Sequence, residues 1–224
     1  MKANKEIYDQ LKNELGDVKL VAVSKIQAAE KIKALYDLGQ RDFGENYVQE
    51  LVEKQTLLPN DIRWHFIGHL QTNKVKFIAP FVHLVHGVDS VNLLNEINKQ
   101  SKKNNRVIDV LLQVHIAQEE TKFGMNEDEM ENVFSKQLTN REEGTGVRLC
   151  GLMGMASFSE DMEKVRMEFR YLKTLFDKYR MLPSAGDHFT ILSMGMSGDY
   201  KIAMEEGSTM VRIGSLLFGA RPAG

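Results

Sequence analysis

The feature that most constrains this chain is an alternation of short apolar runs with stretches whose apolar residues recur at three and four positions. The runs are Leu20 to Ser24 (LVAVS), Asp42 to Asn46 (DFGEN), Arg63 to Gly68 (RWHFIG) and His83 to Val88 (HLVHGV). Four more follow at Val107 to Ile116 (VIDVLLQVHI), Val147 to Met155, His188 to Gly195 (HFTILSMG) and Thr209 to Gly214 (TMVRIG). Between them the period changes to that of a helix. Ile32, Leu35 and Tyr36 are closed by Gly39, and Val48, Leu51 and Val52 mark a second face. A short helix is predicted over Val75 to Phe81, one capped by Ser90 runs through Asn98, and Asn126 opens another. Val165, Phe169, Leu172 and Phe176 share one face of a long helix.

Strands alternating with helices predict a parallel sheet with crossover connections. Closing eight such strands into a (β/α)8 TIM barrel removes the sheet's edges. An open doubly wound sheet competes, and periodicity alone does not separate the two. Ile7, Tyr8, Leu11 and Leu15 add a predicted N-terminal helix outside the repeat. With no linker or low-complexity tract, residues 1–224 are read as one barrel domain.

Composition excludes several function classes. Lys and Arg total 29 against 31 Asp and Glu, a formal net charge of −2 with no basic stripe, which argues against a nucleic-acid partner. No apolar run approaches the roughly 20 residues of a membrane-spanning helix. Met1 to Leu15 is charged and amphipathic, unlike a signal peptide. Cys150 is the sole cysteine, so no intramolecular disulfide forms. The expectation is a cytoplasmic protein without a membrane partner.

In a barrel the chemistry sits at the carboxyl ends of the strands. There the sequence places Ser24-Lys25, Glu45-Asn46, Gly68-His69, Gly87, His115, Met153-Gly154, Ser193-Met194-Gly195 and Arg212-Ile213-Gly214. Alternation puts Lys25 on the face of Val21 and Val23. Pointing inward, its amine loses water, its pKa falls, and it becomes a nucleophile for a carbonyl; pointing outward, it simply reaches solvent. The Ser193 to Asp199 segment (SMGMSGD) and the Arg212 to Ser215 segment (RIGS) follow strands seven and eight, where barrels bind phosphate at backbone N–H groups. They also read as ordinary turns capped by Ser197 and Asp199. Arg212, with the parity of Met210, points to an anion, a cofactor ring nitrogen or a rim ion pair. His65 with His69 and His83 with His86 fall on strands, where helical ligand spacing does not apply, so no metal site is expected. Cys150 lies mid-strand and reads as a buried apolar residue.

VAVSK at 21–25, FGENYVQE at 43–50, WHFIGHLQTNK at 64–74, TKFG at 121–124, SMGMSGDY at 193–200 and GSTMVRIGSLLFG at 207–219 occur in one order over nearly the whole chain. Together they closely resemble the pyridoxal phosphate homeostasis proteins, the PROSC and YggS-type family. The resemblance implies a single barrel of the alanine-racemase N-terminal-domain type that binds pyridoxal 5′-phosphate (PLP). By that resemblance Lys25 forms the Schiff base, Ser193, Gly195, Ser197, Gly198, Arg212 and Gly214 belong to the phosphate-side blocks, and Asn46 lies beside the cofactor. It also implies a monomer or weak dimer that buffers PLP or delivers it to PLP-requiring apo-enzymes, with no established catalysis. An amino-acid racemase is the alternative, but racemases resembling this barrel carry an additional β domain and a tyrosine from a partner subunit. His69 and Tyr47 are the stand-ins considered for the second acid–base group such a reaction needs. His115, where asparagine is expected, and Met153-Gly154-Met155 depart from the pattern. Both departures fall on the amino-acid-facing side of the pocket.

Overall fold

A computed structural model describes residues 5–117, 124–139 and 146–219. The chain enters through α1 (Lys5–Leu15) and then alternates β1 (Lys19–Val23), α2 (Ala29–Asp37), β2 (Asp42–Glu45), α3 (Val48–Leu57) and β3 (Arg63–Phe66). After a 3-10 turn (Thr72–Lys74) come α4 (Val75–Ile78), β4 (Leu84–Val88), α5 (Val91–Lys103), β5 (Ile108–Gln113) and α6 (Glu127–Thr139). The last third is β6 (Val147–Met153), α7 (Met162–Arg180), β7 (Ile191–Met196), α8 (Tyr200–Glu205), β8 (Met210–Ile213) and α9 (Ser215–Phe218).

The eight strands close in sequence order, β8 pairing back onto β1 in parallel, so the barrel and not the open sheet is the architecture. Registered neighbours share a face, which sorts the side chains into two sets. Val21, Leu84, Leu111, Cys150, Met153 and Met210 form a small apolar plug inside the barrel. The larger core lies outside the strands, where Ala22, Phe43, Phe66, Val85, Leu112 and Val211 meet the helix layer. Cys150 is buried in the plug as expected, and burial pushes its thiol pKa up to about 11.

Local chemistry sets the helix starts. The Ser90 hydroxyl accepts from the Leu93 N–H at 3.3 Å, and Asn126 and Glu129 cap each other reciprocally at 2.9 and 3.0 Å. The α5 helix runs five residues past the predicted Asn98, while α4 stops at Ile78 instead of Phe81. α1 forms as predicted, burying Tyr8, Leu11 and Leu15, while Ile7 stays exposed. Gly124 is described, but Thr121, Lys122 and Phe123 of the TKFG block lie outside the described residues. Among the described residues no helix is long and apolar enough to cross a membrane.

Candidate functional site at the carboxyl rim

β1 ends at Val23, one residue earlier than predicted; the Ser24 N–H still bonds to the Gly44 carbonyl, and the chain turns at Lys25 and Ile26, closed by the Gln27 N–H on the Ser24 carbonyl. Lys25 is half-buried at the start of this turn, on the strand-end rim. Ile26 beside it has φ 64°, uncommon for a β-branched residue. Both peptide groups flanking Lys25 are held by buried or partly buried charges. The Ser24 carbonyl accepts from Lys54 Nζ at 2.7 Å, and the Ile26 N–H donates to Glu50 Oε1 at 2.5 Å. Lys54 Nζ also joins Glu45 Oε1 at 2.8 Å and Glu50 Oε1 at 2.6 Å, while Ser24 Oγ donates to Glu45 Oε1 at 2.5 Å. Burial pushes the Glu45 carboxyl up, opposed by Lys54 and Ser24.

On the opposite side of β1, registry pairs Val21 with Arg212 and Ala22 with Ile213. A Cβ built on Gly214 would stand 3.2 Å from the Val23 carbonyl, so the turn after β8 lies directly against the end of β1. That turn is tied to the one after β7, because Gly214 N–H donates to Ser197 Oγ at 3.3 Å. Gly195, at φ 97°, lets β7 bend into this turn against Ala203. Gly198 has open space where a side chain would be. The alternative reading of Ser197 and Asp199 as helix caps is corrected here: neither α8 nor α9 has a side-chain cap bond. Asp199 instead accepts the Met196 N–H at 2.5 Å, stabilising the turn itself.

Arg212 is buried inside the barrel, and burial lowers its pKa to about 10, still cationic at neutral pH. Its Nη1 donates to the Ser193 carbonyl at 2.9 Å and to Ser193 Oγ at 2.7 Å, and Nη2 donates to the Gly154 carbonyl at 3.1 Å. From Ser193 Oγ a polar chain continues to His86 Nδ1 at 3.0 Å, from His86 Nε2 to His65 Nδ1 at 2.9 Å, and from His65 Nε2 to Asp42 Oδ1 at 2.9 Å. Arg63 grips both Asp42 oxygens, at 2.8 and 2.5 Å. Burial raises the Asp42 carboxyl pKa, but the bonds from Arg63 and His65 outweigh it and hold it well below the carboxylate range.

Spacing in the sequence sets His65 near His69 and His83 near His86, but the fold brings other partners together. His65 meets His86, whereas His69 Nδ1 meets Asp89 Oδ2 at 2.9 Å on the rim, and His83 stands 5.5 Å from the His65 ring. Asp42, His65 and His83 bring possible ligand atoms within 4.8 Å of one another, a grouping that spacing did not reveal. There, both Asp42 oxygens and His65 Nε2 are already bonded within the protein. Asn46 follows β2, and its Oδ1 is buried without a hydrogen-bond partner. Tyr47 is 53% exposed. His115 is half-buried beyond the end of β5. Lys54, Glu50 and His86 are the members of this site that sequence reasoning missed.

Comparison with known proteins agrees with this geometry. The family model for the alanine racemase N-terminal domain matches residues 1–222. The pyridoxal phosphate homeostasis protein of Aquifex aeolicus (strain VF5) is 44% identical over 205 residues, 91% of this chain and 87% of that one. The structure of PipY from Synechococcus elongatus PCC7942, solved with PLP bound, superposes with a TM-score of 0.85 at 32% identity, covering 96% of this chain and 99% of that one. The alanine racemase of Streptomyces coelicolor A3(2) shares the fold at 17% identity and a TM-score of 0.73, with this chain covering 97% of itself and 58% of the racemase. Eight closed strands, the rim residues and these likenesses converge: the chain belongs to the alanine racemase N-terminal domain family, among the pyridoxal phosphate homeostasis proteins.

Proposed function

We propose that this protein binds PLP covalently through Lys25 and serves its homeostasis, holding and handing on the cofactor. The observation that carries the reading is the closure of β8 onto β1, which sets Lys25, the Ser197–Gly214 turn pair and Arg212 on adjacent strands. Bound PLP would supply an aldehyde carbon for an amine and a phosphate dianion for backbone donors. The residues present fit both ends. Lys25 brings the amine, and the turn of Ser197 and Gly198 brings a backbone with open space at Gly198 for an anion, while Gly195 and Gly214 let that turn pack closely on α8 and β1. The unpartnered Asn46 Oδ1 is a buried acceptor for a ligand donor. We assign Arg212 to the ring and not to the phosphate, because Ser193 and Gly154 anchor it within the barrel, below the two turns. The name of the Aquifex relative and the PLP held by PipY support the cofactor.

A carrier, not a racemase, is the role we infer. Moving a proton at an amino-acid α-carbon on both faces needs a second acid–base group opposite the lysine. His69 is tied to Asp89 and Tyr47 is exposed, so neither is built into the barrel interior. PLP-requiring apo-enzymes are the partners this role implies, in the cytoplasm, with the protein a monomer or weak dimer.

Borohydride reduction with peptide mapping tests the assignment. Wild-type protein is expected to show a visible band that bleaches, with the adduct on Lys25, and Lys25→Ala to lose the adduct while keeping its fold. Ser197→Ala should weaken PLP binding without removing the adduct. A reducible adduct at another unique site in Lys25→Ala would disprove the lysine assignment. Exchange of an amino acid's α-hydrogen for solvent deuterium well above the rate with free PLP would favour the racemase instead.

A further inference from the structure

We infer that Arg212, Ser193, His86, His65 and Asp42 form a one-way hydrogen-bond relay through the barrel, with both imidazoles neutral and protonated at Nε2, and that His86 is a positioning residue for Arg212. The positioning role rests on the proposed assignment of Arg212 to the cofactor.

The direction of every bond follows from its fixed end. Asp42 is an anion gripped by Arg63, so it only accepts, and His65 must present an N–H at Nε2. A neutral His65 then has only a lone pair at Nδ1. The facing His86 Nε2 must therefore be the donor, at 2.9 Å. His86 in turn faces Ser193 with the lone pair of Nδ1, so the serine hydroxyl donates to it at 3.0 Å. Ser193 Oγ is left with its lone pairs toward Arg212, whose Nη1 donates at 2.7 Å. Each donor points away from Arg212 toward Asp42, and no polar atom in the run faces its like.

The competing proton arrangement fails on two counts. If His65 were an imidazolium, it would donate at both nitrogens, and His86 would have to donate from Nδ1 to Ser193 Oγ. That oxygen would then accept from both His86 and Arg212, and its hydroxyl hydrogen would lose His86 as acceptor. It would also put a further charge between Arg63 and Arg212. Lys19 and Arg63 disfavour that charge on His65, whereas Asp42 favours it. For His86, the nearby Arg212, His65 and His83 disfavour it, with Asp42 again opposing. Burial lowers the pKa of both rings, well below the ordinary value for His86, in agreement with neutral imidazoles.

The relay gives Ser193 one rotamer and one proton orientation, and through it holds Arg212. Three bonds bind the guanidinium to Ser193 and Gly154, and the one to Oγ depends on His86 taking the hydroxyl hydrogen. Glutamine at position 86 could keep the relay, since an amide both donates and accepts. Phenylalanine could not.

The test begins with long-range proton–nitrogen correlation of the full chain labelled with 15N-histidine, at neutral pH, without PLP. Nε2–H tautomers for both His65 and His86 are expected. An imidazolium at either, or an Nδ1–H tautomer at His86, overturns the relay. PLP titration then tests the positioning. His86→Phe is expected to bind about tenfold more weakly with a displaced visible band. His86→Gln should restore wild-type band position and most of the affinity. Wild-type affinity and spectrum in a folded His86→Phe protein overturn the positioning role. Should that variant not fold, Ser193→Ala cuts the same connection, and unchanged binding there overturns the role equally. Wild-type protein that takes up no PLP would overturn the functional reading and the positioning role with it, whereas the tautomers are read in the protein alone.

Discussion

Lys54 shows what a single residue does beneath the rim. Its ammonium is buried against Glu45 and Glu50 and holds the carbonyl that precedes Lys25. Replacing it with methionine leaves the buried Glu45 carboxylate without its cation, at an expected cost of about 3–5 kcal/mol in urea unfolding. Lys54→Met with Glu45→Gln should recover much of that loss, because the uncompensated charge is gone; a double variant as unstable as the single one would contradict this account. Arg212 was legible in the sequence because it stands at the end of an apolar run with the parity of Met210, whereas Lys25 was legible only as a rim position, since it lies in the turn past β1 where alternation no longer fixes a face. Lys54 was not, since a lysine following Val52 on a helix reads as a solvated position. His86 was not read as a member of the site, because strand spacing says nothing about a residue on the far wall of a barrel. Ser193 is that residue.

At the scale of elements, the strands were legible as runs but not at their ends. β5 is shorter than its β-branched run: Val107 is exposed, and beyond Gln113 Val114 keeps an isolated bridge to Met125 and one bond from its N–H to the Met153 carbonyl. β7 starts at Ile191 and not His188, since the Thr190 N–H turns back onto the His188 carbonyl at 2.9 Å; it also reaches the Cys150 carbonyl, beside which the β5–β6 register breaks. That break follows from Gly151, at φ 152°, where a Cβ would lie 1.7 Å from the Ile191 carbonyl oxygen. Gly151→Ala is therefore expected to destabilise the barrel by about 4 kcal/mol or more, or to prevent folding. Gly198→Ala meets nothing within 4 Å, so its unfolding free energy should stay within about 0.5 kcal/mol of wild type. If the anion lies over that turn, the same variant should bind PLP more weakly while remaining as stable. Thermal melts and PLP titrations of the two variants check both expectations.

For the whole molecule, the barrel was legible as a rhythm of eight, while its closure was legible only through the family resemblance, because β1–β8 pairing leaves no trace in periodicity. The interior polar chain was equally hidden, and it gives the protein a pH signature. Burial lowers the pKa values of His65, His86 and His83, the last to about 4. As pH falls through the ordinary histidine range, the unfolded chain takes up protons that the folded one refuses, so stability declines. Glu45 and Asp199, both raised by burial, act with the opposite sign nearer the carboxylate range, below the span where the histidines act. Asp42, held low, adds its own loss only at still lower pH, as its folded-state pKa is approached. Urea midpoints should therefore be lower at pH 5 than at pH 7, and an equal or higher midpoint at pH 5 would count against neutral buried imidazoles.

The β1–β8 seam also orders events in time. Lys25 is synthesised early and Arg212 near the end, yet they share a rim only once the last strand has docked beside the first. A growing chain on the ribosome therefore carries the Lys25 amine long before it carries the turns after β7 and β8 that we propose bracket an anion. The seven earlier strands must pair, and the two histidines must be enclosed, without help from a ligand. The cofactor can then act only as a late clasp on a finished ring. Its stabilising effect should appear in the rate at which the seam opens, leaving the rate at which the barrel first assembles unchanged.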